Sequence, residues 1–233
     1  MTEITLGSAK VRWSDASFGP LGHRPAGAHD ESCCGDEAVR RRQTFFDKQW
    51  LRLVQVHGAT VVVAQDVHTA ADVEADAAVT ARADVALGVA TADCAPLALV
   101  CDEGVVGAVH AGWKGLGAGV VTEAAKSMRE LGATHIRAAL GPCIHAECYE
   151  FDGPQLEQLA QQFGEGVISE TSWGGPALDM VAATKAACAA ANVDLVYIHD
   201  DCTACAEHVT YFSYRARGDV GRQVMVVWRP SEP

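Results

Sequence analysis

The chain has 233 residues, a formal net charge of −12 and 49% hydrophobic residues, which suits a globular protein with a sizeable core. The acidic balance argues against nucleic-acid binding, because contact with a phosphate backbone needs a basic surface. No apolar run reaches the roughly 18–20 residues of a membrane span, and the first residues resemble no signal peptide. Nine cysteines, an odd number, favour reduced thiols in the cytoplasm. The oligomeric state is left open.

The first half of the chain is predicted to form mainly short strands. Residues 17–36 carry Gly, Pro and His and are predicted as a surface loop that leads into a basic helix start at residues 40–42. Valine-rich runs then indicate strands joined by tight turns. These predicted strands are residues 50–56, 60–64, 77–80, 85–90, 97–101 and 105–109.

Helices become prominent in the second half. Apolar residues recur at helical spacing over residues 116–131, and Gly132 stands where a helix commonly ends. Two more helices are predicted over residues 154–163 and 176–191, the second with Pro176 near its first turn.

The order of these elements predicts the fold class. Further strands are predicted at residues 136–140, 195–199, 209–214 and 223–228. Strands and helices are interspersed without a regular β-α-β alternation. We therefore predict an α+β fold, with mixed sheets stacked or sandwiched and flanked by helices, in a single domain over residues 1–233.

Three segments place a metal-binding side chain beside a small residue where an apolar run ends. They carry His57, Cys94 and His110, and each breaks into a turn that would aim the side chain into a cleft. Two imidazoles and one thiolate suit zinc and leave a fourth position for water or substrate. The wide spacing forms no compact metal motif, so strand-end histidines and a buried thiol without a metal are the alternative interpretation.

Short motifs spread over the chain carry a family resemblance. They are QVHG at 55–58, ADAAVT at 75–80, TADCAPLAL at 91–99, HAGWKG at 110–115, GPCI at 141–144, CYEF at 148–151, FSYR at 212–215 and GRQ at 221–223. In this order they resemble the laccase-domain family, whose members are also known as multicopper polyphenol oxidases, purine nucleoside phosphorylases and peptidoglycan editing factors. HAGWKG and TADC are the most specific of these motifs.

The resemblance carries expectations about the site and the reaction. It implies a zinc site at His57, Cys94 and His110, and a fold likened to that of cysteine-dependent deamidases. It also implies phosphorolysis of adenosine, inosine, guanosine and methylthioadenosine, together with deamination of adenosine. Purine nucleosides and phosphate are then the expected partners, and zinc, or copper as the alternative, is the expected metal.

Phosphorolysis needs cationic side chains for phosphate. The candidates are Arg42, Lys114, Arg215 and Arg222, because a guanidinium presents forked donors with a permanent charge. Each has a plain alternative: a solvated surface position for the arginines and a helix-capping role for Lys114. Arg42 departs from the family pattern, since Arg41-Arg42 replaces the usual Asn-Arg pair.

Two further groups are candidates beside the metal ligands. Asp93 precedes Cys94 and is predicted either to act as a catalytic acid or base or to orient a neighbour. Cys202, Cys205 and His208 cluster in sequence, but a closed structural zinc site takes four donors. A structural or pocket-wall role is therefore the preferred interpretation of that second cluster.

Three competing functions are kept. A copper polyphenol oxidase would need many histidines, commonly as His-x-His pairs, and none of the nine histidines forms such a pair. A metal-free hydrolase would use Cys94 as nucleophile and His110 as base, as in a peptidoglycan precursor editing enzyme. The third alternative is a non-catalytic partner in cell division or wall synthesis.

Overall fold

Twelve strands and six helices build the part of the chain that the computed structural model describes, residues 1–22, 35–68, 73–206 and 210–230. The strands are β1 (Thr2–Leu6), β2 (Ala9–Trp13), β3 (Val61–Val63), β4 (Ala77–Thr80), β5 (Leu87–Thr91), β6 (Ala95–Val100), β7 (Val106–Ala111), β8 (Ile136–Leu140), β9 (Ile168–Glu170), β10 (Pro176–Leu178), β11 (Val193–Ile198) and β12 (Gln223–Trp228). The helices are α1 (Gly35–Phe45), α2 (Trp113–Gly117), α3 (Val120–Glu130), α4 (Pro154–Phe163), α5 (Met180–Ala190) and α6 (Tyr214–Arg217).

The strands form two larger sheets and one small one. The first sheet is antiparallel with the order β1-β2-β12-β5. The second has the order β11-β8-β6-β7-β4-β3 and is mixed, because β11 pairs with β8 and β3 with β4 in parallel. Strands β9 and β10 form a separate hairpin-like pair. This arrangement confirms the predicted mixed α+β class.

Side chains that point alternately to the two faces of a strand explain how the layers stack. In β6, Leu97 and Leu99 pack with helices α2 to α5, whereas Ala98 and Val100 face the first sheet. Successive strand residues point to opposite faces, so one strand serves two cores. A third core lies on the outer face of the first sheet, under residues 45–50. The order of layers is therefore α1, first sheet, second sheet and the other helices.

Several predicted elements have the predicted bounds or shift by two residues at most. They are β3, β4, β5, β6, β7, β8, β11, β12 and α4. The N-terminal hairpin of β1 and β2 was not among the predicted strands. Most of the predicted loop 17–36 lies outside the described residues.

Two predicted helices differ because a local signal interrupts the helical pattern. Gly119 takes a positive φ of 85° and separates α2 from α3 within the predicted helix 116–131. Asp179 caps α5, since its carboxylate accepts the backbone N–H of Ala182, and the preceding residues 176–178 form β10 instead. The helix predicted from Pro176 was therefore wrong in its first turn.

Two predicted strands are not formed. Residues 50–56 make only isolated bridges, and the side chain of Gln55 exchanges two 2.8 Å hydrogen bonds with the backbone of Ala90. Residues 210–214 of the strand predicted at 209–214 form no strand, and Ser213 instead caps the short helix α6. Residue 209 lies outside the described residues. None of the described helices combines the length and apolar character needed to span a bilayer.

Candidate metal centre and active site

The sheet order brings the three predicted metal ligands to one edge of the second sheet. Cys94 directly precedes β6 and His110 lies near the end of β7. These strands are antiparallel, so the start of one adjoins the end of the other, with Pro96 opposite His110. His57 joins them from the turn before β3, where it takes a positive φ of 63°. Strand pairing therefore brings together residues that are far apart in the sequence.

The three side chains form a compact donor group. Their ligand atoms all lie within 4.8 Å of one another, and Cys94 Sγ is 3.8 Å from His57 Nε2. The imidazole rings of His57 and His110 have centroids 4.7 Å apart. Two donors at zinc bond lengths with a tetrahedral angle would be roughly 3.6 Å apart. The group could therefore hold a metal ion with little movement.

Asp76, directly before β4, organises the two histidines. Its buried carboxylate accepts the Nδ1–H of His110 at 2.7 Å. It also accepts the backbone N–H groups of Val56, His57 and Gly58 at 3.3, 2.9 and 2.6 Å. A carboxylate behind a histidine fixes its tautomer and leaves Nε2 for a metal. One side chain thus orients His110 and shapes the turn that carries His57.

The electrostatics of the group favour a thiolate. Burial by itself would raise the pKa of Cys94, but the charge and hydrogen bond of His110, with a smaller contribution from His57, lower the pKa to about 6. Burial would lower the pKa of His110, yet the Cys94 thiolate and the Asp76 carboxylate raise it. Cys94 is therefore deprotonated at neutral pH, which is the form that binds metals.

Gly112 leaves room for the donor group. A Cβ atom at Gly112 would lie 2.9 Å from Cδ2 of His57 and 3.0 Å from Sγ of Cys94. Its φ of −74° is accessible to any residue, so the requirement for glycine here is one of space.

We expect Gly112→Ala to weaken metal binding about 10- to 100-fold, the range seen when supporting residues of metal sites are changed. The added methyl group must displace His57 or Cys94 from the donor group. Chelator competition measures the effect. Gly117→Ala is the matched control, because its Cβ would meet Leu159 at an ordinary 3.5 Å. Equal metal affinity in both variants would show that the close approach at Gly112 is relieved elsewhere.

Asp93 occupies a turn of unusual backbone geometry. It has a positive φ of 96° and is 7% exposed. Its Oδ1 accepts the Thr203 hydroxyl at 2.7 Å and its Oδ2 accepts the backbone N–H of Arg215 at 2.7 Å. These contacts hold the turn before Cys94 against α6. Of the two predicted roles, the geometry favours orientation of neighbouring groups over proton transfer.

Arg215 borders a cavity of about 550 Å³. Aromatic rings of Phe151 and Trp173 and the acidic residues Glu150 and Asp152 also line it. The Arg215 Nη1 donates to the backbone oxygen of Glu150 at 2.8 Å. The cavity therefore combines aromatic surface, carboxylates and a guanidinium.

Aromatic side chains extend from this cavity to Trp113, three residues after His110. Arg215 Cζ lies 4.7 Å from the centre of the Tyr149 ring, and Tyr149 and Phe151 have centroids 5.5 Å apart. Phe151 contacts Trp113, the first residue of α2, with centroids 5.2 Å apart. Burial and the nearby Cys94 raise the pKa of Tyr149, so its phenol keeps its proton. Tyr149 therefore contacts Arg215 and is near enough to Cys94 to be affected by its charge.

The other predicted phosphate-binding residues have different surroundings from Arg215. Arg42 lines a different cavity, of about 260 Å³. Lys114 is exposed on α2, with Nζ 5.5 Å from the ring centre of Trp113. The Nη1 of Arg222 donates to three backbone oxygens of residues 219–221. None of these three residues is among those that line the cavity at Arg215.

Comparison with known proteins places the chain in a family. The family model for multi-copper polyphenol oxidoreductase laccases matches residues 30–230. The chain belongs to this laccase family. The resemblance inferred from the short motifs is thereby confirmed.

Relatives in the laccase family carry enzyme names. A Streptomyces griseus protein named purine nucleoside phosphorylase ORF3 is 39% identical over 231 residues, 93% of this chain and 91% of that protein. Adenosine deaminase RL5, from an unknown prokaryotic organism, is 31% identical over 75% of this chain and 73% of its own length. The crystal structure of the Neisseria meningitidis protein NMB0706 has a TM-score of 0.79 and 27% identity, covering 99% of both chains.

Three residues of the site were not among the sequence predictions, although each lies inside a recognised motif. Asp76 belongs to ADAAVT, Gly112 to HAGWKG and Tyr149 to CYEF. Asp76 looked like an ordinary polar residue before a strand, because its four donors come from distant segments. The laccase-family motifs thus marked these three positions, but their roles follow only from the contacts in the folded chain.

Proposed function

We propose that the chain is a zinc-dependent purine nucleoside phosphorylase that accepts adenosine, inosine, guanosine and methylthioadenosine and also deaminates adenosine. The observation that carries the proposal is the donor group of His57, Cys94 and His110. The residue before Cys94, Asp93, accepts the backbone N–H of Arg215, and Arg215 lines a cavity with aromatic side chains. The names of two relatives, a purine nucleoside phosphorylase and an adenosine deaminase, support it.

The donor chemistry supports zinc. One thiolate and two imidazoles are ligands that zinc favours, and three protein donors leave one position for a reactant. When bound, zinc would supply Lewis acidity and lower the pKa of a bound water toward neutrality, which deamination requires. In this proposal Asp76 holds His110 with Nε2 facing the metal, and Gly112 keeps the space around the thiolate clear.

The cavity residues have roles in phosphorolysis under the same proposal. The purine ring stacks on Phe151 or Trp173, because aromatic faces bind bases well. Glu150 and Asp152 accept hydrogen bonds from ribose hydroxyls. Arg215 binds phosphate, since a guanidinium offers five N–H donors and its bond to Glu150 uses only part of them.

The reaction balances with these groups. A phosphate oxygen forms a bond to ribose C1′ while the bond from C1′ to the purine nitrogen breaks. The electron pair of that bond goes to the purine, which takes up the proton that the attacking hydrogen phosphate gives up. Charge develops on the sugar in an oxocarbenium-like transition state, which a nearby phosphate dianion stabilises. The products are the free base and ribose-1-phosphate.

Arg215→Ala is the test of the phosphate site. We expect the KM for phosphate to rise roughly 10- to 150-fold, because a hydrogen bond between charged groups is worth about 1.5–3 kcal/mol. Formation of ribose-1-phosphate from inosine, measured over a phosphate titration, gives the value. The control is Arg82→Ala, a surface arginine paired with Asp84. An unchanged phosphate dependence in Arg215→Ala would remove Arg215 from the phosphate site.

One observation favours a second candidate function. Asp76, His110 and Cys94 form a chain in which the acid orients a histidine beside a thiol of lowered pKa. The same order of groups serves cysteine nucleophiles. A metal-free hydrolase, acting for example on a peptidoglycan precursor, would use this arrangement with Cys94 as nucleophile and His110 as base.

A further inference from the structure

A second group of donor side chains lies outside the site described above. It comprises Glu147 and Cys148 from the short 3₁₀ helix Ala146–Cys148, and Cys202 and Cys205 from the turn after β11. Their four ligand atoms all lie within 4.8 Å of one another. The sequence suggested too few donors here, because Glu147 and Cys148 are remote in the chain from the Cys202 cluster. His208 lies outside the described residues.

The distances between the donor atoms fit a metal ion with tetrahedral coordination. A thiolate sulfur and a carboxylate oxygen bound to one zinc ion with a tetrahedral angle would be roughly 3.5 Å apart. The Sγ of Cys205 lies 3.7 Å from Oε1 of Glu147. The Sγ of Cys202 accepts the backbone N–H of His145 at 3.3 Å, a contact that supports a thiolate. His145 Nδ1 lies 3.6 Å from the same Glu147 oxygen.

Backbone contacts hold both halves of the group in register. Cys143 and Cys202 form a parallel bridge, and the N–H of Thr203 donates to the oxygen of Cys143 at 3.0 Å. The N–H of Ala206 donates to the oxygen of Cys202 at 3.0 Å and closes the turn. Cys202 and Cys205 are separated by two residues, a spacing typical of structural zinc sites.

The geometry points to a second, structural zinc site formed by Glu147, Cys148, Cys202 and Cys205. Three soft thiolates select zinc over magnesium or calcium, and four protein donors close the coordination sphere. The ion joins the segment after β8 to the turn after β11.

The position of this site gives it a consequence for the cavity. Cys148 and Ala204 belong to the cavity wall that also includes Arg215. Arg217 adds a further connection, since its Nη1 donates to the backbone oxygen of Ala204 at 3.0 Å. Zinc bound here fixes the wall without taking part in the reaction.

Metal analysis of the full-length protein, purified under reducing conditions and equilibrated with zinc, tests the proposal. We expect close to two zinc ions per chain in the wild type and close to one in Cys94→Ala, whose remaining ion is the structural one. Cys205→Ser is expected to keep only the ion at Cys94, and the double variant to bind almost none. Cys188→Ala, which removes a buried thiol of α5, is the matched control and keeps both ions.

Cobalt substitution separates the two sites by their ligands. With cobalt in place of zinc, Cys94→Ala is expected to give the strong sulfur-to-metal charge-transfer absorption of three thiolates, and Cys205→Ser the weaker absorption of one. If Cys205→Ser does not fold, Glu147→Gln replaces it and is expected to weaken binding at this site at least about tenfold.

Two results would overturn the second site. One is a Cys94→Ala protein that binds no zinc although it is folded. The other is a reduced protein in which Cys148, Cys202 and Cys205 all alkylate equally fast with and without zinc. Neither result bears on nucleoside phosphorolysis, because both readouts report zinc or thiol protection at the second site and neither measures nucleoside turnover.

Discussion

Cys94→Ala and His110→Ala are each expected to lose metal at the first donor group, with an affinity drop of more than about 100-fold, beyond the range caused by supporting residues. Two remaining donors bind a divalent metal weakly, so phosphorolysis and deamination should fall with the metal. Metal analysis and nucleoside turnover measure the two effects. Cys101→Ala is the matched control, since Cys101 is a buried thiol just after β6 that contacts the backbone of Val105. Full metal retention in both variants would contradict the ligand assignment.

Alkylation of Cys94 distinguishes a ligand from a nucleophile. A metal-bound thiolate is engaged and should react slowly with iodoacetamide, whereas removal of the metal should expose a reactive thiolate. In the metal-free protein, labelling should increase as pH rises through about 6, the pKa set by burial and by His110 and His57. Rapid labelling of the metal-loaded protein, together with a covalent substrate adduct on Cys94, would favour the hydrolase.

Asp76→Ala is expected to have the largest effect on stability. It removes the acceptor of three backbone N–H groups and of His110, and an unsatisfied buried polar group costs about 1–3 kcal/mol. The free energy of unfolding should therefore fall by about 3 kcal/mol or more. Metal binding should weaken by about 10- to 100-fold. Urea unfolding and chelator competition measure them.

The pH dependence of stability shows whether the ionised Asp76 carboxylate stabilises the folded protein. Burial would raise the pKa of Asp76, but the hydrogen bonds from His110, Gly58 and His57 and the charge of His110 lower it below its ordinary value. A lowered folded-state pKa stabilises the protein above about pH 4, and this stabilisation is lost as pH falls further. Asp76→Asn should therefore be destabilised at neutral pH and approach the wild type in acid. Asp84→Asn removes an exposed carboxylate and should leave the stability nearly unchanged at either pH.

The sequence predicted the elements whose signal is local. Strand β8 and helix α4 have the predicted bounds because their apolar periodicity is uninterrupted and turn residues flank them. The donor group of His57, Cys94 and His110 was also predicted. Each lies beside a small residue where an apolar run ends, and the resemblance to the laccase-domain family indicated the three together. Periodicity alone missed the break at Gly119 and the cap at Asp179, where one residue outweighs the helical pattern of its neighbours.

The remaining parts of the site depend on contacts between distant segments. Asp76 gains its role only when residues 56–58 and 110 fold around it. Arg215 meets Tyr149 and Glu150 because α6 packs beside the segment after β8, which no pattern within residues 212–215 indicates. Arg222 resembled a phosphate ligand in sequence but donates to backbone oxygens of its own loop. The residues around Arg215 and Arg222 in the sequence do not show that the two side chains have different surroundings in the fold.

The backbone conformation at Asp93 sets an order of events during protein synthesis. A positive φ at a non-glycine residue costs about 1–3 kcal/mol unless its surroundings hold it. The two groups that hold Asp93, on Thr203 and Arg215, follow it by 110 and 122 residues. All three residues of the first donor group therefore leave the ribosome long before the turn at Cys94 can be fixed. We expect nascent chains that end before residue 203 to capture metal poorly and the completed chain to load it after release.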